Sequence, residues 1–423
     1  MSALEKRLLG EIKKIRIIDC HSHVNAATPS SANLRELLGY HYFTELACSA
    51  GMDKRFLAPD VLDDRMLSEI VQHMARFENT VQYSWFIDLA RTMFGFKGRR
   101  LTLKNLPSLK AACEKRLGRK DWHKKVMRKA NIERAFLTNS FDEDLSVVDP
   151  SLFIPCLRID DLVHTLGDAD VRKRLAKKTG VEVGTTRSLR KALAAVFDYF
   201  LAHNIAAVAA SLPPQFTCSV VPEGVARRAL SAVLSGKASA KDSAAVSTYV
   251  FYLVAELCRE HRLPFMLMIG VVRSAYHHGV HQGCDLESMA WSMHQYIDLF
   301  NRFPEVTFPV SALTMPQGHE LLSFAWIVSN VVVSGHWWYT NVPSFIETEL
   351  RGRLEALPKT KLLGYYSDMH KVEFGLPKFN MYRRVLAKVL AGSCVETGRM
   401  SEAEAVQTAR MLLRGNVETI FKV

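Results

Sequence analysis

Short aliphatic runs, each followed by a longer amphipathic segment, recur along this chain and leave few folds open to it. Eight such runs stand out: Ile15–Cys20, Ile132–Leu137, Phe153–Ile159, Phe216–Val220, Phe265–Val272, Val306–Val310, Val331–Ser334 and Leu362–Tyr366. Helical spacing of apolar residues marks the segments between them, notably Arg187–Ala210, Tyr249–His261, Leu286–Phe300 and Leu321–Ile327. Val/Ile/Leu-rich strands alternating with helices predict parallel strands covered on the outside. Eight of them predict an α/β fold, a closed and distorted (β/α)8 TIM barrel whose site lies beyond the C-terminal strand ends. An open doubly wound sheet is the competing architecture, but no Gly-rich dinucleotide loop follows the first run.

Residues 34–130 carry helical patterns and no strand, clearest where Val61, Leu62, Met66, Leu67, Ile70 and Val71 recur over 60–94, and continue through Lys110–Lys129. This block is predicted to be a helical insertion after strand one, placed as a cap within a single 1–423 barrel domain. Gly236–Ser243 is small and polar enough for an exposed loop.

A net charge of +12 is dispersed, mostly over Lys97–Lys129 and Arg172–Lys178, where cations alternate with apolar residues as on solvated helix faces. No arginine-rich tail or aromatic-interleaved basic patch argues for nucleic acid, so anionic small molecules are the expected partners. The eight cysteines show no Cys-x-x-Cys spacing, which argues against a disulfide framework or a cysteine-only zinc site. The N-terminus has no apolar signal-peptide core and no apolar run is long enough for a membrane helix, so a reduced, cytoplasmic setting is expected.

The first run ends in Asp19-Cys20-His21-Ser22-His23. At strand periodicity His21 and His23 face the same side, so at a barrel mouth both imidazoles can reach one metal ion. Spacing alone does not choose the ion. Other strand ends offer Arg158, Arg273, His336, and Asp368 with His370. Asp368 follows the apolar run Leu362–Ser367 and could add a carboxylate to the two histidines, unless it caps or pairs locally. Two imidazoles and one carboxylate leave coordination positions open, the usual condition for catalysis. Asp19 shares the facing of His21 and would either contact the site or orient an imidazole. His277, His278 and His281 sit in a loop without phasing and read as exposed or substrate-loop histidines more readily than a second metal site. Trp337 and Trp338 would wall a pocket or simply pack.

In order along the chain, these elements resemble the uronate isomerase family of the amidohydrolase superfamily. Asp19-Cys20-His21-Ser22-His23 resembles its His-x-His, Gly39-Tyr40-His41-Tyr42 its Asp-His-Tyr element, and Pro155–Asp160 its Pro-x-x-Arg-Pro-Asp element. Ile269–Arg273 is similar to its Ile-Gly-Ala-x-Arg, Gly335–Tyr339 to its Trp-Trp-Phe segment, Ser367-Asp368 to its Thr-Asp, and Tyr382-Arg383-Arg384 to the helix that follows. The resemblance implies one divalent metal, with zinc the expected ion, held by His21, His23 and Asp368. It implies substrate contacts from His41, Tyr42 and Arg158. Arg273 would join Arg158 on a carboxylate, and His336, Trp337, Trp338 and His370 would complete the substrate site. The implied reaction interconverts the aldose and ketose forms of a hexuronate such as glucuronate or galacturonate. A proton leaves C2, an enediolate forms, and a proton returns at C1, with Asp368 or a hydroxide on the metal as base.

Three departures bear on the substrate. The Gln-x-His expected on strand five is Met266-Leu267-Met268, the Thr-Asp-Ser-Arg of strand eight is Ser367-Asp368-Met369-His370, and Thr217-Cys218-Ser219 stands where an Asp-His pair is expected. Loss of a polar group matched to a substrate hydroxyl changes specificity strongly. A metal-dependent hydrolase of the same superfamily, acting on an ester, lactone or amide, and a catalytically silent sugar-acid binder are the alternatives. A homo-oligomer is expected for a metabolic enzyme of this kind, with no segment specifying its symmetry.

Overall fold

The protein is described from a computed structural model covering residues 1–281 and 283–423. Eight parallel barrel strands are found among the described residues. They are β1 (Ile17–Asp19), β2 (Ile132–Phe136, resuming at Asn139–Ser140), β3 (Phe153–Ile154 and Cys156–Arg158), β4 (Ala207–Leu212), β5 (Phe265–Ile269), β6 (Phe308–Ala312), β7 (Val331–Ser334) and β8 (Leu362–Leu363). Each pairs in parallel with the next, from β1–β2 through β7–β8. Pro155, which has no N–H to give a ladder, falls at the break in β3. The ring closes beyond β8. The Asp368 N–H donates to the His21 carbonyl at 3.2 Å, and the His23 N–H donates to the Met369 carbonyl at 2.8 Å. The (β/α)8 barrel expected from the pattern is therefore the fold, and the segment carrying both histidines is stitched directly to the one carrying Asp368.

Alternation along the strands separates two cores. On β5, Phe265, Leu267 and Ile269 pack outward against the helices, whereas Met266 and Met268 join Ile18, Phe136 and Tyr366 inside the barrel. The C-terminal helix Asn416–Phe421 plugs the opposite end. Phe421 packs edge-on to Phe136 at 4.9 Å, and the Asn416 amide donates to the carbonyls of Lys359 and Leu362 at the start of β8. With that end sealed, the accessible mouth is the C-terminal one.

Helices Leu34–Leu38, His41–Ser49, Asp63–Met74, Val81–Phe94, Leu106–Glu114 and Trp122–Ala130 lie between β1 and β2, as the absence of strand signals over 34–130 predicts. Among the described residues, no helix is long and apolar enough to cross a membrane.

Three sequence assignments are corrected. The helix read over Arg187–Ala210 spans Thr186–Leu201, turns at Asn204 (φ +56°), and gives way to strand four at Ala207–Leu212. The run read as strand four, Phe216–Val220, is a loop instead, with only Phe216 and Cys218 buried. Phe216 packs on Phe251 at 5.1 Å, and the Cys218 thiol meets the Tyr252 hydroxyl at 3.9 Å. The helix read over Leu286–Phe300 starts as a strand: Leu286–Glu287 pairs antiparallel with Val271–Val272, and a 3-10 turn at Met293–Tyr296 leads into helix Ile297–Arg302. Smaller shifts follow from turns. β5 stops at Ile269 because Gly270 adopts φ +117°, and the loop predicted to Ser243 ends at Ser239, which caps helix Ala240–His261.

Candidate active site

His21 and His23 both present Nε2 to one oxygen of Asp368, at 3.4 and 3.2 Å from Oδ1. The ligand atoms of the three residues all lie within 4.8 Å of one another, and no other such trio occurs among the described residues. The alternative of a local cap for Asp368 is thereby set aside. His21 Nε2 and Asp368 Oδ1 are buried without a hydrogen-bond partner. Buried polar atoms left unpaired are costly, and a divalent cation would satisfy these two together. Two imidazoles and a carboxylate also form a donor set such cations accept, so the residues fit a metal.

Electrostatics agree. Burial opposes the Asp368 charge, but the close approach of the His21 and His23 imidazoles outweighs it, and the carboxyl is held well below its usual range. Burial lowers His23 and His41, and takes His370 down to about 3, with neighbouring positive charge adding to the effect. These imidazoles are therefore neutral, the form that coordinates or accepts protons. They form a row, with His21–His23, His23–His370 and His370–His41 centroids each 5.0 Å apart.

This row opens into a cavity of about 170 Å³ at the barrel mouth. His41 and Tyr42 reach it from the first turn of helix His41–Ser49. Burial foremost, then the Asp368 charge, keeps the Tyr42 phenol protonated well above its ordinary range. Arg158 and Arg273 line the cavity, each held by a carboxylate. Arg158 Nη2 is 2.7 Å from Asp160, and Arg273 Nη1 is 2.6 Å from Asp285 while its Nη2 donates to the Ser211 hydroxyl at 3.1 Å. Trp337 and Trp338 are both pocket walls, and Trp337 belongs to the barrel interior as well.

His336 is placed elsewhere. It is buried behind the wall, with Nδ1 2.7 Å from Glu349 and Nε2 3.3 Å from Arg353, and it does not line the cavity. Gly335 at φ +53° turns the chain just before it, so the position at the end of strand seven does not bring His336 into the pocket. The wall segment at β4 is Ala209-Ala210-Ser211, not the Thr217–Ser219 segment compared with the expected Asp-His pair. His277 and His278 are exposed, as expected, and join no metal group among the described residues.

Several lining residues were not legible beforehand. Asp285 reaches Arg273 only through the hairpin, Thr138 sits at the interruption in β2, and Met268 shows no polar chemistry. Asp19 does not enter the cavity. It orients Ser367, accepting the N–H at 2.9 Å and the hydroxyl at 2.5 Å.

Comparison with known proteins agrees with this geometry. A curated uronate isomerase of Thermotoga sp. (strain RQ2) is 22% identical, over 98% of this chain and 96% of that protein. The crystal structure of uronate isomerase from Thermotoga maritima superposes with a TM-score of 0.92 at 19% identity, covering 100% of this chain and 98% of that one. Glucuronate isomerase from Caulobacter crescentus gives 0.89 at 18% identity, covering 99% and 94%. At these identities the structures establish the fold. The sequence model of the glucuronate isomerase family matches residues 2–413, and the chain belongs to that family.

Proposed function

We propose that this enzyme is a metal-dependent uronate isomerase in which His21, His23 and Asp368 hold one divalent ion, with zinc the ion of choice. The observation that carries the reading is the convergence of two imidazoles and an ionised carboxylate on one point of a cavity that Arg158 and Arg273 also line. When bound, the cation supplies Lewis-acid polarisation of substrate oxygens. Arg158 and Arg273, already oriented by Asp160 and Asp285, bind the sugar acid carboxylate and fix which carbon faces the reacting groups.

Asp368 accepts the C2 proton from the open-chain aldose. The electron pair moves into a C1–C2 double bond, giving an enediolate, and return of a proton to C1 leaves the carbonyl at C2. The protonated Tyr42 phenol donates a hydrogen bond to the developing oxyanion, and neutral His41 beside it relays a proton between the two oxygens. Trp337 and Trp338 exclude water from one side of the sugar. The helices over residues 34–130 serve as a cap that brings His41 and Tyr42 to the barrel.

The test is proton NMR in deuterated water with glucuronate or galacturonate, comparing zinc-loaded and chelator-treated enzyme. Metal-dependent ketose formation with deuterium entering C1 is the expected result. Absence of turnover of both sugars by folded, metal-loaded protein overturns the hexuronate assignment. Mass increase by one water in a lactone or ester substrate would transfer the chemistry to hydrolysis.

A further inference from the structure

Lys378 has no exposed surface, and among the described residues no carboxylate lies within ion-pair distance of it. A buried ammonium without a paired anion is expensive and calls for compensating contacts. Its Nζ donates to the Ser367 carbonyl at 2.8 Å and to the Tyr40 hydroxyl at 3.1 Å. Tyr40 in turn donates to the Asp368 carbonyl at 3.4 Å. The same nitrogen lies 5.0 Å from the centroid of Tyr42 and 5.1 Å from that of Trp85, within cation–π range.

The two carbonyls that this ammonium reaches, one directly and one through Tyr40, flank Asp368. That residue sits at φ +51°, a left-handed conformation uncommon for L side chains though most open to Asp and Asn. Tyr42 is the cavity-lining phenol of the adjoining helix. Lys378, from helix Gly375–Val389, thus bonds the carbonyl of the residue before the candidate metal ligand and lies over the ring of a substrate-facing residue at once.

We propose that Lys378 is a positioning residue that holds the Asp368 carboxylate in its ligating orientation and ties helix His41–Ser49 to it. The inference rests on the metal reading of His21, His23 and Asp368, and adds to it an element outside the cavity. Lysine serves where a neutral donor would not, because a compact ammonium supplies several donors and attracts aromatic faces at the same time.

The experiment measures zinc affinity by competition with a chelating dye, and the visible spectrum of the cobalt-substituted protein, for wild type, Lys378→Met and Tyr40→Phe. Lys378→Met is expected to bind zinc about 10- to 100-fold more weakly, the range for losing a partner that orients a ligand. Its cobalt bands should shift and its melting temperature should fall by only a few degrees, because the Ser367 carbonyl loses its donor while the cost of a buried charge is relieved. Tyr40→Phe cuts only the link to the Asp368 carbonyl and should weaken zinc binding less. Folded Lys378→Met with wild-type zinc affinity and an unchanged cobalt spectrum overturns the proposal. Should that variant fail to fold, unaltered zinc affinity in Tyr40→Phe overturns it, and weakened affinity supports it. A wild-type protein that binds no zinc overturns the metal reading first, and this inference with it.

Discussion

Asp19 grips Ser367 with both carboxylate oxygens, one accepting the backbone N–H at 2.9 Å and the other the hydroxyl at 2.5 Å. Ser367 precedes Asp368, and Asp19 lies two residues before His21, so a single contact between β1 and the end of β8 registers the candidate ligands against each other. The contact is fully buried, and burial, partly offset by the bonds from Ser367, pushes the Asp19 carboxyl up to about 6. Asp19→Ala leaves the Ser367 N–H buried without an acceptor, at a cost of about 1–3 kcal/mol. Expected are a lower urea midpoint and about tenfold or greater loss of zinc affinity, in the range for partners that orient ligands. Zinc affinity equal to wild type would show that the barrel closure alone registers Asp368.

Arg273 carries a second testable relationship. Asp285 and Ser211 fix its guanidinium at the cavity edge, although half of its side chain is exposed. Arg273→Lys retains charge but loses the planar fork that binds a carboxylate through two parallel bonds. A charged hydrogen bond is worth about 1.5–3 kcal/mol, so KM for the uronate should rise roughly 10- to 100-fold with a smaller change in kcat. Asp285→Asn frees the guanidinium without removing it and should raise KM less. Steady-state kinetics on the two variants distinguish orientation from charge; a KM unmoved by either would remove Arg273 from the substrate site.

These relationships mark where the sequence was readable. His21, His23 and Asp368 were legible because strand parity and an apolar run of ordinary length place them at a barrel mouth. β4 was missed because Ala206-Ala207-Val208-Ala209-Ala210 has the composition of a helix. Its interior positions, Ala207 and Ala209, are small, and a larger residue at Ala209 would fill the cavity it lines. Asp285 lay beyond reach for a different reason: it is local to nothing in the site until the hairpin of Val271–Val272 with Leu286–Glu287 folds it back. Lys378 escaped notice because a lysine on an amphipathic helix is ordinarily solvated. His336 was misplaced because a position at a strand end does not fix where the side chain points once a left-handed residue, Gly335, precedes it.

That residue, Gly335, supplies a third prediction. At φ +53° a side chain is disfavoured, and a Cβ here would also run into the ring of Tyr366, whose hydroxyl is fixed to Ser311 at 3.0 Å. Backbone strain and overpacking in a dense interior each cost about 1–3 kcal/mol. Gly335→Ala should therefore lower the melting temperature by several degrees and displace Trp337, two residues on, from the cavity wall. Tryptophan fluorescence and thermal unfolding read the two effects separately. A variant as stable as wild type would mean that Tyr366 can retreat.

The His336–Glu349–Arg353 cluster behind that wall gives a pH dependence with a definite sign. Burial, with the Arg353 charge adding to it, lowers His336 from 6.5 to about 4, against the raising effect of Glu349. Between those values the unfolded chain binds a proton that the folded chain does not, so this residue makes stability fall as pH falls from 6.5 towards 4. The slope reaches at most about 1.4 kcal/mol per pH unit. Asp19 acts oppositely: its raised carboxyl makes stability fall as pH rises from 3.8 to about 6, so the wild-type profile alone is ambiguous. His336→Gln resolves it, because a glutamine amide can donate to Glu349 and accept from Arg353 without titrating. The wild-type minus variant difference in unfolding free energy, measured by urea denaturation from pH 7.5 to 4.5, should grow steadily less favourable to wild type on acidification. Glu349, which Arg353 and His336 hold below its ordinary 4.5 against burial, begins to take up a proton in the unfolded chain as pH nears 4.5, so the sign is read from the points above about 5.5. A difference independent of pH would mean that His336 titrates alike in the folded and unfolded chains, and one that favours wild type increasingly on acidification would mean that it is protonated in the fold and paired with Glu349.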